Sequence, residues 1–220
     1  MSFIIITHII AGTLAFLSGT IALVAAKGST LHRMAGQVFV GSMIITGAGG
    51  AIYAAQIPQA ITTIAGIFTV YLVVSSYGTL RRTVGHIGRL EVFGAVFAAS
   101  IVAASTYFGL EAQAHPSGLK DGFNAAPYFF FAAVAAIALI GDITHLILRG
   151  RNLAHRIARH LWRMGFALYV AAGSLLDGPG TASLPEHLRG TIATTAPVTL
   201  IGITVAVWWI IALVSNRGRD

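Results

Sequence analysis

Residues 127–163 read PYFFFAAVAAIALIGDITHLILRGRNLAHRIARHLWR, and the join within this stretch decides the fold. From Pro127 to Leu148 the chain is apolar apart from Tyr128, Asp142, Thr144 and His145. That length matches the roughly 20 residues an α-helix needs to cross a hydrocarbon layer about 30 Å thick. Arg149, Arg151, Arg156, Arg159 and Arg163 follow, with no acidic residue among them. An apolar helix that ends in a cationic loop marks a span whose next loop stays on the cytoplasmic side.

Scanning outward for runs of the same kind gives an all-α chain, a polytopic bundle of seven spans in a single domain covering residues 1–220. The spans lie near 3–26, 35–56, 60–80, 90–110, 127–148, 162–178 and 190–214. Composition agrees with lipid as the main solvent. The chain is 56% hydrophobic and 10% charged, where an ordinary soluble domain is about 25% charged, and its mean hydropathy is +0.80. Fourteen Lys and Arg with seven Asp and Glu could not solvate the surface of a soluble fold of 220 residues. A disordered chain, a coiled coil and a nucleic-acid-binding domain are excluded on these grounds, despite a net charge of +7. The absence of cysteine removes disulfides, thiolate metal sites and cysteine nucleophiles.

The basic residues then set the orientation. Lys27 and Arg33 follow span one, and Arg81, Arg82 and Arg89 follow span three. The five arginines above follow span five, and Arg217 and Arg219 follow span seven. The opposite loops hold Lys120 and Arg189 against Glu111, Asp121, Asp177 and Glu186. The N-terminus is expected outside and the C-terminus in the cytoplasm. Span one lacks a positive leading region and its apolar run is too long for a cleaved signal sequence, so it reads as a permanent helix.

Helices in lipid associate through small and polar stripes. His8, Gly12, Ala15, Gly19, Ala22 and Ala26 form such a seam on span one, and Ala135, Ala138, Asp142 and His145 form one on span five. The glycines at 47, 49 and 50 read as packing positions. Residues 152–162 read as a basic amphipathic stretch lying along the membrane surface, with Leu153, Ile157 and Leu161 as its apolar stripe. On that reading His155 follows the charged side and His160 turns inward.

An ionisable side chain at membrane depth costs about 2.5–3.5 kcal/mol and is a functional candidate by default. Asp142 and His145 meet that test, and their i, i+3 spacing places both on one face. His32, His86, His160 and Glu91 approach the same end from neighbouring hairpins. Such a set of imidazoles and carboxylates has the donors for a transition metal or haem b, with carboxylates orienting the ligands or moving protons. A structural reading stands beside it: Asp142 fixes helix packing through His145 or an arginine, and the loop histidines meet lipid headgroups. His8, alone in the outer half, reads as a histidine hydrogen-bonded to a threonine or the backbone.

Residues 31–40, LHRMAGQVFV, and 160–169, HLWRMGFALY, resemble the L-H-R-x-x-G-x-x-Y-V and L-W-R-M-C-F-A-L segments of bacterial predicted multi-pass membrane proteins of unknown function. Here Phe39 takes the tyrosine place and Gly165 the cysteine place. The resemblance implies a bacterial inner-membrane protein and supplies no activity. Three functions follow from the residues: metal- or haem-linked redox chemistry around Asp142 and His145, a small-solute or proton-coupled transporter, or an accessory subunit whose small-residue faces bind partner helices. The lipid bilayer is the expected partner, with a homo-oligomer or other membrane helices beside it.

Overall fold

The computed structural model describes residues 3–178 and 184–214. They form an all-α bundle of seven helices, α1 (Phe3–Val24), α2 (Thr30–Gln56), α3 (Ala60–Arg81), α4 (Arg89–Ala114), α5 (Ala125–Ile147), α6 (Leu153–Leu176) and α7 (Ile192–Val214), with one 3-10 turn at Glu186–Leu188. Six of these, all but α6, are long and apolar enough to cross a membrane. Arg217 and Arg219 lie outside the described residues.

Side-chain oxygens stop the loops and start the helices. Ser29 accepts from His32 N at 3.2 Å, Asn124 from Ala126 N at 3.0 Å and Asn152 from His155 N at 2.8 Å. Glu91 closes the start of α4 by accepting from Gly88 N at 2.8 Å. At the far end of the bundle Asp121 accepts from Ala60 N at the start of α3, and Lys120 pairs with Glu111 and Asp121 at 3.1 and 3.5 Å. The hydrogen bond to Glu111 is the main reason the Lys120 ammonium is held above the ordinary lysine range.

Packing is small residues inward and large ones outward, the arrangement lipid favours. On α1, Ala11, Ala15, Ser18 and Gly19 are buried while Ile6, Ile10, Leu14, Leu17 and Ile21 are exposed. A Cβ on Gly19 would lie 2.8 Å from both Phe39 and Leu168, so α1 sits directly against α2 and α6. The backbones of α2 and α3 meet at Gly47 and Gly66, where a Cβ on either would reach the other's carbonyl oxygen at 2.8 or 2.5 Å. Helices α3 and α6 occupy the middle: α3 touches α2, α4, α5 and α6, and α6 touches α1, α3, α5 and α7.

One expectation is overturned here. Residues 152–162 are no separate surface stretch: α6 starts at Leu153 and continues unbroken to Leu176. Its basic face meets the bundle and not the membrane surface. Arg156, Arg159 and Arg163 are buried against the bundle, whereas Leu153 and Ile157 are exposed. The physical reason is that lipid solvates leucine and isoleucine, while the bundle interior supplies a carboxylate, hydroxyls and carbonyl oxygens for the guanidinium groups. Span two likewise begins earlier than expected, at Thr30.

Candidate functional site

Three levels of side chains, matched in depth on α3, α5 and α6, make up the interior at the end where most of the basic residues lie. The level nearest that end contains Thr79 from α3 and Arg82 just after it, His145 from α5 and Arg156 from α6. Arg156 Nη2 donates to Thr79 O and Arg82 O, both at 2.6 Å, and its Nε donates to Thr79 O at 3.0 Å. A guanidinium is thereby placed on the last carbonyls of α3, where the helix dipole favours a cation. Arg82 pairs with both oxygens of Glu91, at 2.7 and 2.8 Å.

The second level is a charge knot. Asp142 is 1% exposed. Its Oδ1 accepts from Nη2 of Arg163 at 2.8 Å and from Nη2 of Arg159, and its Oδ2 accepts from the Tyr71 hydroxyl. Arg163 is fully buried, donates from Nη1 to Ser75 Oγ at 2.6 Å and from Nη2 to Ala138 O at 2.9 Å, and lies over the Tyr71 ring. Arg159 also donates to Thr79 Oγ1, which donates in turn to Ser75 O at 2.7 Å. One carboxylate from α5 thus holds two guanidiniums from α6 and a phenol from α3. The third level is aromatic: Phe68, Phe131 and Phe166 meet with ring centroids 6.3–6.5 Å apart and close the bundle above the knot.

A cavity of about 10 Å³ opens at the first level. Its buried members are Thr79, His145, Gly150 and Arg156, its side carries the Arg82–Glu91 pair, and Thr83 and His86 stand exposed at its rim. His145 is 4% exposed and its Nδ1 has no hydrogen-bond partner. The His145 ring stacks on His155, with centroids 5.9 Å apart, and packs on Gly150, whose φ of +61° and lack of a Cβ leave room for the imidazole. His155 Nε2 lies 3.1 Å from Gly141 O. His155 lies on the charged side of α6, as expected, and comes inward because that side faces the bundle.

The six residues expected to form one cluster are divided among several surroundings. Asp142 belongs to the arginine knot, while His86, Glu91 and His145 border the cavity. His32 Nδ1 lies 2.9 Å from Ala22 O, and His160 Nδ1 lies 3.1 Å from Ser76 Oγ. His8 Nδ1 is 2.9 Å from Thr46 O, and its ring fills the space left by Gly50. Among the described residues, no three His, Cys, Asp or Glu side chains are grouped so as to hold a metal ion.

Sequence reasoning passed over Tyr71, Ser75, Thr79, Arg156, Arg159 and Arg163 as members of the site. Two spacings carried the signal. Arg156, Arg159 and Arg163 are three and four residues apart, and Tyr71, Ser75 and Thr79 are four apart, so each set occupies one helix face. Comparison with protein-family models, curated proteins and solved structures finds no match to this chain.

Proposed function

We propose that this chain is a seven-span protein of a bacterial inner membrane, N-terminus outside, that carries a small anionic solute across the bilayer. The supporting observation is the imbalance of buried charge. Arg159 and Arg163 share the single carboxylate of Asp142, while the hydrogen bonds of Arg156 go to carbonyl oxygens. Charges enclosed in a low-dielectric bundle need partners, and a cation excess is suited to a site that an anion visits. The aromatic level above the knot and the cavity below it correspond to a carrier closed on one side and accessible on the other.

Asp142 is engaged on both oxygens in this mechanism, Oδ1 by Arg159 and Arg163 and Oδ2 by Tyr71. The metal- or haem-linked reading draws no support from this arrangement, because among the described residues no three His, Asp or Glu side chains are grouped so as to hold a metal ion. The inner-membrane placement rests on the basic loops and on the resemblance of residues 31–40 and 160–169 to bacterial multi-pass proteins.

Reconstitution tests the reading. Liposomes containing the purified chain, with membrane potential clamped by a potassium ionophore, are expected to release chloride or a small organic anion faster than protein-free liposomes. Arg156→Gln should slow that release. Folded, reconstituted protein that passes none of these anions above background would remove the carrier reading.

A further inference from the structure

We infer that the cavity at the first level binds one monovalent anion of halide size, an inference that rests on the carrier reading and names where the cargo docks. Size comes first. The cavity has room for about one water-sized particle, nearer the size of a halide than of phosphate, sulfate or a carboxylic acid. Charge comes second. Arg82 and Arg156 face the cavity with one carboxylate, Glu91, leaving one positive charge, the complement of one monovalent anion.

Glu91 does not repel such a guest strongly, because both its oxygens are bonded to Arg82 and one also accepts from Gly88 N. His145 also lines the cavity: it is 4% exposed and its Nδ1 has no hydrogen-bond partner. A neutral imidazole carries one ring N–H, which can donate to an anion. Access is through Thr83 and His86, the exposed rim on the basic end, where Arg81, Arg89 and Arg151 are also exposed and raise the local anion concentration.

The test uses the full chain in detergent, with thermal unfolding followed in sodium chloride, sodium bromide and sodium gluconate at equal ionic strength. Chloride and bromide are expected to raise the midpoint by about 5 °C over gluconate at saturation, and chloride-35 NMR lines should broaden in proportion to protein. Arg156→Gln should weaken binding on the order of tenfold. Thr83→Trp, at the exposed rim and away from the packed interior, should block it even if Arg156→Gln fails to fold. Arg33→Gln, an exposed arginine at the same end, should leave binding unchanged.

Equal midpoints in chloride and gluconate together with unbroadened chloride lines would overturn the inference, leaving an ordered water as the occupant. Halide binding without flux in liposomes would support the site and remove the carrier reading. Flux of a larger anion without halide binding would keep the carrier reading and remove this site.

Discussion

Asp142 is where α3, α5 and α6 close on one another. Its substitution by Asn removes the one carboxylate bonded to Arg159 and Arg163 among the described residues, and stranding a buried charge costs about 3–5 kcal/mol. Purified Asp142→Asn is therefore expected to unfold at a clearly lower temperature or denaturant concentration than the parent protein. Tyr71→Phe removes one charge-assisted hydrogen bond and should cost about 1.5–3 kcal/mol in the same measurement. At this scale the sequence disclosed Asp142 and His145 as inward-facing, since Ala135 and Ala138 share their face and Ile137, Ile140 and Ile143 cover the other. It did not disclose what meets them. Partners thirty or more residues apart in sequence, such as Tyr71 and Asp142, depend on how helices are set side by side, and no local spacing encodes that.

Among elements, the α2–α3 contact gives the sharpest test of packing. Gly66→Ala would drive a Cβ to 2.5 Å from Gly47 O, and backbone on both sides leaves nothing able to yield. A loss of about 1–3 kcal/mol is expected from such overpacking. Gly36→Ala on α2 meets nothing within 4 Å and should be neutral or gain up to about 1 kcal/mol from helix propensity; thermal unfolding of the two variants side by side checks the contrast. The small-residue seams were legible because lipid leaves only close packing to join helices, so glycine and alanine at heptad-like spacing mark contact faces. Helix α6 shows the limit of that reasoning. Its two stripes were visible in the periodicity, but periodicity identifies opposite faces without saying which one is inside. In water the apolar stripe goes in; in a bundle bathed by lipid, with Asp142, Ser75 and Thr79 waiting, the arginine stripe does.

For the whole molecule, the even-numbered helices start and the odd-numbered ones end at the basic end, as the Arg156–Arg82, Arg82–Glu91 and His32–Ala22 contacts require. The chain has no cysteine, so single replacements report sidedness cleanly. Thr30→Cys and Ser117→Cys, both at exposed positions, are expected to react with a membrane-impermeant maleimide from opposite sides of a sealed vesicle, Ser117→Cys from outside the cell. Labelling of both from one side would break the seven-span threading. The buried arginines of α6 also bear on how the protein is made. A nascent segment with three guanidiniums on one face has no reason to partition into lipid by its own composition. It gains that reason only when earlier-translated helices offer their carboxylate and hydroxyls, so the order of synthesis, with α3 and α5 preceding α6, supplies the receptor before the guest.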